Sequence, residues 1–105
     1  EHEQIAEDLV RNAHLLKLKG DFLLALAASA DEVEAWYQQA IATARQQEAK
    51  SLELRAVMSL VRLWQSHGKT AEARQRLAEI YSWFTEGFET KDLQEAKELL
   101  ERLKG

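Results

Sequence analysis

The side chains most often used for metal binding and catalysis are few in this sequence and poorly spaced for either task. The histidines His2, His14 and His67 have no acidic residue three or four positions away, so no helical face pairs an imidazole with a carboxylate as a metal site requires. Cysteine is absent from all 105 residues, which excludes thiolate ligands and disulfides. We therefore expect no metal and no cofactor. His67, beside Gly68, is better explained as the end of a helix.

Nucleophilic and acid–base catalysis have no better support. The four glycines are isolated from one another, so the chain has neither a glycine-rich phosphate loop nor the Gly-x-Ser-x-Gly turn of many hydrolases. The carboxylates fit solvated helix surfaces; Glu98 and Arg102, for example, have the i,i+4 spacing of a surface pair. Paired catalytic acids need burial to separate their pKa values, and no acid is expected within an apolar stripe. We predict that this chain is not an enzyme and has no catalytic residue.

Charge and hydropathy narrow the classes of partner. Lysine and arginine number 14 against 18 aspartates and glutamates, a net charge of −4, which argues against a nucleic-acid ligand. The longest purely apolar run covers residues 22–28, too short to span a bilayer, and no signal-peptide pattern is present. We expect a cytoplasmic protein that binds protein or peptide, not nucleic acid or membrane.

The elements that must position any binding residues are predicted to be helices. Alanine and leucine each occur 16 times and β-branched residues only 11 times, a composition typical of an all-α domain. Helix-capping residues and glycines divide the chain into five helices. We predict a first helix pair over residues 4–47, a second over 51–84 and a closing helix over 91–104, within a single domain spanning 1–105. The expected boundaries are a first helix over 4–28, a second over 32–47 capped by Asp31, a third capped by Ser51 and ended by Gly68, and a fourth capped by Thr70 and reaching Phe84.

The apolar pattern repeats about every forty residues. The apolar stripe of the third helix starts at Val57 and continues 3, 4 and 7 positions later. The same spacing can be aligned with the sequence 41 positions earlier and 39 positions later. The intervening helices match at an offset of 40. Self-similarity at this period predicts stacked helix–turn–helix units. The matched residues are Val57, Leu60, Val61 and Trp64 in the third helix, and Val33 and Tyr37 with Ala73 and Leu77 in the intervening helices.

These stripes resemble the tetratricopeptide (TPR) repeat, in which large, small and aromatic residues alternate along two helices. The resemblance implies a right-handed superhelical solenoid of antiparallel helix pairs, here five helices or about two and a half repeats. Gly20 fits this arrangement because its missing side chain would let the paired helix approach closely, offsetting roughly 1 kcal/mol of lost helix propensity. The period exceeds the usual ~34 residues, and proline is absent, so we call the pattern TPR-like.

A narrower resemblance rests on residues 50–56 (KSLELRA) and 83–87 (WFTEG). These segments are similar to the C-terminal helical arm of bacterial multidomain signalling proteins, which combine an AAA-type or STAND ATPase with a nucleotide cyclase or DNA-binding domain. The resemblance implies that the chain is the sensor or scaffold arm of a larger protein, whose catalytic domains lie outside it.

In TPR-like arrays the first helix of each pair lines a concave groove, so the resemblance places the polar face of the third helix there. Arginine and lysine on this face could bind the carboxylates of a peptide or helix. The TPR clamp for a C-terminal carboxylate uses asparagines, whereas Asp21 and Arg62 occupy the matching positions here, so we do not expect that specificity. The alternative is a solvated surface with intramolecular acid–arginine pairs. The candidate groove residues are His14, Lys17, Asp21, Arg55, Met58, Arg62 and Gln65.

The leading hypothesis is therefore a protein-interaction module. The alternatives are a scaffold arm that docks its parent's own domains, a small-molecule sensor using aromatic residues, and a stand-alone engineered scaffold without a ligand. Most aromatic residues have core spacing and are expected to pack inside; Trp83 and Phe88, which flank a glycine-containing turn, are the expected exceptions. At Ile5, Leu9 and Val10, where an upstream repeat would otherwise pack, we expect that the chain either self-associates through its first helix or uses that helix as a cap.

Overall fold

The computed structural model describes residues 12–87 and 89–104, which form five α-helices and no strand. The all-α prediction and the five helices are therefore confirmed for the described part of the chain. The helices are α1 (Ala13–Ala25), α2 (Ala30–Gln46), α3 (Lys50–Ser66), α4 (Thr70–Tyr81) and α5 (Lys91–Lys104).

The helices form two layers around α3. Each helix contacts the next one along the chain, and α1 and α5 also contact α3 directly. The helices α1, α3 and α5 therefore lie side by side, with α2 and α4 packed across them. The smallest extent of the molecule is 19 Å, about twice the 10–12 Å diameter of one helix, as expected for two layers.

The core follows the apolar pattern of the sequence. The residues matched at an offset of 40, Val33 and Tyr37 in α2 and Ala73 and Leu77 in α4, are all buried. The α3 stripe is buried as well, except for Trp64, which is partly buried against the same cluster. Periodicity therefore identified the inward faces of α2, α3 and α4 correctly.

The first helix begins later than predicted. Asn12 has an extended backbone, and its side-chain oxygen accepts a hydrogen bond from the Leu15 N–H at 3.0 Å. This is an N-cap, so a continuous helix over residues 4–28 is wrong: α1 begins at Ala13 and ends at Ala25. Residues 1–11, including the predicted self-association face, lie outside the described residues.

Three predicted caps are also wrong. Ser29, not Asp31, caps α2, because its hydroxyl accepts the N–H of Glu32 at 3.2 Å. Helix α3 begins at Lys50, so Ser51 lies within its first turn, and Thr70 is the first residue of α4. Neither of these two helices has a side-chain cap.

Three helices end in the same left-handed turn. Gly68, after α3, has a φ of 79°, which confirms its predicted role. Ala27 after α1 and Glu48 after α2 occupy the same position with φ of 60° and 55°, a conformation that disfavours side chains by roughly 1–2 kcal/mol. The closing hydrogen bonds run from the N–H of Ala28, Ala49 and Lys69 to the carbonyl oxygens of Leu23, Ala44 and Trp64, at 3.0, 2.9 and 2.9 Å.

The last connection differs from the prediction. Helix α4 ends at Tyr81, so Phe84 lies in the following segment, where it packs against the core. Gly87 turns this segment with a φ of 78°, and Phe88 lies outside the described residues. The predicted closing helix over 91–104 is confirmed.

Candidate binding site between α1 and α3

A cleft between α1 and α3 brings together three of the predicted groove residues, Lys17, Asp21 and Arg62. Its volume is about 440 Å³. The TPR resemblance implied that these residues line one groove, and in the described structure they line one cleft. The lining residues are Lys17, Asp21, Leu24, Tyr37, Ser59, Arg62, Leu63 and Ser66.

The base of the cleft depends on Gly20. A Cβ atom added to Gly20 would lie 2.6 Å from Cε1 and 2.8 Å from Cδ1 of Tyr37, which is closer than carbon atoms can approach. The predicted role of Gly20 in close helix packing is therefore confirmed. The contact lets the ring of Tyr37 lie directly against the backbone of α1.

This close approach carries the phenol of Tyr37 to a charged partner. The Tyr37 hydroxyl donates a hydrogen bond to Asp21 Oδ1 at 2.5 Å, and Lys17 Nζ lies 2.9 Å from Asp21 Oδ2. Burial of the phenol raises the pKa of Tyr37 above its ordinary value of 10.0, and Asp21 raises it further, first by accepting the hydrogen bond and then through its charge. Arg62 acts in the opposite direction. The phenol therefore remains a hydrogen-bond donor at neutral pH and fixes the position of the Asp21 carboxylate.

Arg62 lies at the mouth of the cleft and is more weakly paired. Its guanidinium Nη2 is 3.7 Å from Glu95 Oε2 on α5, beyond hydrogen-bond distance, and the Arg62 side chain is 53 % exposed. Leu24 and Leu63 supply apolar surface in the same cleft. The cleft thus combines an accessible guanidinium, a fixed carboxylate and two leucines, a set that can bind a peptide by charge, hydrogen bonds and apolar contact.

The remaining predicted groove residues lie elsewhere. Arg55 contacts α5, where its Nε donates to Asp92 Oδ2 at 2.8 Å. His14 and Gln65 are exposed but do not line the cleft. Met58 is buried in the core, so its placement in a groove was wrong, because α3 is contacted by the other four helices and has little free surface.

Sequence reasoning missed a buried carboxylate. Glu53 in α3 is only 2 % exposed, so the expectation that no acid lies in an apolar stripe was wrong. Its two oxygens accept from Arg45 Nε at 2.8 Å and Lys50 Nζ at 3.2 Å, which satisfies a charge that burial would otherwise penalise. The signal that could have found it is the twenty-residue helix spacing, which aligns Glu53 with the buried Val33 and Ala73.

A third cation, Arg76, also interacts with the charge of this carboxylate. The Arg76 guanidinium donates to Gln38 at 3.2 Å, while its Nε is buried without a partner. Burial lowers the pKa of Arg76, the charge of Arg45 lowers it further, and the charges of Glu79 and Glu53 oppose this shift. The cluster draws on side chains from α2, α3 and α4. Because Glu53 is already paired, we interpret the cluster as structural.

The aromatic residues mostly pack inside, as predicted. Tyr37 is buried, and Trp36, Trp64, Tyr81 and Phe84 pack partly buried against the core cluster. Trp64 also donates its indole N–H to Glu34 at 2.8 Å. Trp83 is 56 % exposed, with the Lys50 ammonium 5.3 Å from its ring centroid.

No group of three or more histidine, cysteine or acidic side chains among the described residues is placed to hold a metal ion. No described helix has both the length and the apolar character needed to cross a membrane.

Comparison of the chain with models of protein families, with curated proteins and with solved structures finds no match.

Proposed function

We propose that the chain is a non-catalytic interaction module that binds a carboxylate-bearing peptide or helix in the α1–α3 cleft. The observation that carries this proposal is the position of Arg62 at the mouth of the cleft, half exposed and 3.7 Å from its nearest acidic partner. A ligand carboxylate can displace such a weak surface pair and gain a bidentate contact.

The rest of the cleft supplies recognition of the peptide backbone. Asp21 already accepts from Tyr37 and contacts Lys17, yet a carboxylate has about four acceptor sites and can still accept a peptide N–H. Leu24 provides apolar contact for a neighbouring side chain of the ligand. A peptide with an acidic residue beside an apolar one matches this arrangement.

For the wider context, we propose a TPR-like, right-handed solenoid that forms the helical arm of a bacterial cytoplasmic signalling protein. The support is the twenty-residue spacing of the starts of α2, α3 and α4, the burial of positions forty residues apart, and the resemblance described above. In that setting the bound peptide belongs either to a separate protein or to a domain of the parent protein.

A scaffold arm without an external ligand is the second candidate. It is favoured by the intramolecular partners of all three cations considered for the groove, Lys17, Arg55 and Arg62. A surface whose charges are satisfied within the chain needs no peptide to balance them.

The test is selection from a display library of random peptides against the immobilised chain. We expect the bound peptides to be rich in aspartate and glutamate, and Arg62→Glu to weaken their binding at least about tenfold. Arg55→Glu is the matched control, because Arg55 lies on the same helix and is also ion-paired but does not line the cleft. Equal binding by the wild type and Arg62→Glu would contradict the assigned site, and the absence of any enriched peptide would favour the scaffold arm.

A further inference from the structure

The outer face of α1 carries an apolar stripe. Leu15, Leu18, Phe22 and Leu26 are 41, 42, 58 and 62 % exposed. Their spacing of +3, +4 and +4 places them on one side of the helix. An adjacent side carries Leu16, which is buried against the core. Helix α1 is thus apolar on two faces, of which one is covered within the described structure.

The opposite edge of the molecule is different. Helix α5 turns its apolar residues inward, where Leu93, Ala96, Leu99 and Leu103 are buried. Its exposed positions are polar or charged. A second copy could not cover the α1 stripe with its α5 edge, since polar groups would be buried without partners. The exposed residues of α5 are Lys91, Gln94, Lys97, Glu98, Glu101 and Arg102.

We propose that a second copy of the chain covers the stripe with its own stripe, the two α1 helices packing antiparallel about a two-fold axis. The stripe is nearly symmetric about its midpoint, so an antiparallel partner places Leu15 opposite Leu26 and Leu18 opposite Phe22. Antiparallel packing also aligns the helix dipoles favourably. Such a contact is isologous and closed, and the polar α5 edges leave no route to longer assemblies.

The area and the charges fit a weak, specific dimer. With roughly 200 Å² for a fully exposed large apolar residue, the four stripe residues offer about 400 Å² per copy. This is about two thirds of the roughly 600 Å² per partner at the lower end of specific interfaces, so we expect a dimer that forms only at high concentration. The nearby lysines have partners within their own chain: Lys17 with Asp21, and Lys19 over the Trp36 ring at 5.9 Å.

The dimer would present two clefts at once. Lys17 and Asp21 lie on a different face of α1 from the stripe, so pairing of the stripes leaves both clefts open. A bivalent ligand could then bind both with increased avidity. This contact is independent of the proposed function, because it uses none of the cleft residues.

Sedimentation equilibrium of the full chain from micromolar to millimolar concentration tests the proposal. We expect the mass to rise from 12.0 kDa toward twice that value. Phe22→Asp should weaken association at least about tenfold. Trp83→Asp is the matched control, since Trp83 is 56 % exposed but lies far along the chain from α1; it should associate like the wild type. Circular dichroism of both variants checks that each one folds.

Cysteine cross-linking tests the orientation, because the chain has no natural cysteine. Under oxidised glutathione, a mixture of Leu15→Cys and Leu26→Cys should cross-link faster than either variant alone. Preferential cross-linking of each variant to itself would overturn the antiparallel arrangement. A strict monomer at every concentration, or association lost in Trp83→Asp but not in Phe22→Asp, would overturn the dimer. A monomeric full chain that dimerises on Leu9→Asp would replace the second copy by residues 1–11 as the occupant.

Discussion

The two edge helices, α1 and α5, are held against the rest of the fold by different physical means. Helix α1 is held by shape: Gly20 admits the ring of Tyr37, whose hydroxyl then reaches Asp21. Helix α5 is held by an apolar stripe and by exposed ion pairs to α3, of which Arg55 with Asp92 is the shortest at 2.8 Å. The stability of the α1 edge should therefore change when a single side-chain group is added or removed. The stability of the α5 edge should change with the salt concentration.

The largest effect should come from adding one methyl group at the α1 edge. Gly20→Ala places a Cβ within 2.8 Å of two ring atoms of Tyr37, so α1 or the ring must shift. Although alanine favours helix, we expect the free energy of unfolding to fall by about 1–3 kcal/mol. Urea unfolding followed by circular dichroism measures this change.

The control for this substitution is Gly68→Ala. Gly68 has open space around it but a φ of 79°, so it should lose about 1 kcal/mol from backbone conformation alone. A stable Gly20→Ala variant would show that the contact between α1 and α2 is looser than the structure indicates, and that shape does not distinguish the two edges.

The next effect concerns the phenol. Tyr37→Phe keeps the ring in the core but removes the hydrogen bond to Asp21, which retains Lys17 as a partner. We expect a loss of about 1 kcal/mol at neutral pH, measured by the same unfolding experiment. A loss well below this value would show that the hydrogen bond from Tyr37 to Asp21 contributes little to holding α1.

The raised pKa of Tyr37 predicts that its contribution to folding stability depends on pH only in alkaline solution. Because the folded state holds the phenol proton more tightly than the unfolded state, this stabilisation is complete below pH 10.0 and is lost as the pH rises above it. The difference in stability between the wild type and Tyr37→Phe should shrink above pH 10.0. A difference that stays constant into that range would contradict the assigned hydrogen bond.

A smaller, opposite effect is expected at the end of α1. Ala27→Gly relieves the left-handed conformation at φ of 60° and should stabilise the chain by about 0.5 kcal/mol, after the greater freedom of glycine in the unfolded state is subtracted. Glu48→Gly should behave alike at the end of α2. Thermal unfolding measures both. Alanine substitution at exposed Glu101 in α5 is a neutral reference, and destabilisation by both glycines would contradict the helix-end geometry.

The smallest effect should come from the α5 edge. Asp92→Asn removes the ion pair with Arg55, whose side chain is half exposed, and should cost no more than about 0.5 kcal/mol at low salt. At molar salt the difference should vanish, because the charges are screened. Persistence of the cost at high salt would show that the two edges are attached alike.

The repeating apolar pattern predicted the helices, their inward faces and the role of Gly20. The starts of the helices were harder, because Ser29 and Asp31 each precede a glutamate by three residues and so offer two capping boxes. Ser29 is the cap because the left-handed turn at Ala27 already reverses the chain direction before Asp31. That choice depends on how α1 and α2 pack.

The cleft was predictable only in part. Lys17, Asp21 and Arg62 line it together. The contribution of the Tyr37 hydroxyl depends on the close approach at Gly20 and could not be predicted from residue spacing alone. Glu53 was assigned to the surface on its charge. Its burial depends on Arg45 and Lys50, whose positions around it follow from the turn between α2 and α3.

The central position of α3 has a consequence for how the chain opens. Since α3 contacts all four other helices, its backbone amides become accessible to solvent only when the whole assembly comes apart. Either edge helix can detach while the rest persists. Native-state hydrogen exchange should therefore be slowest in α3, at the rate of global unfolding, and faster by local opening in α1 and α5.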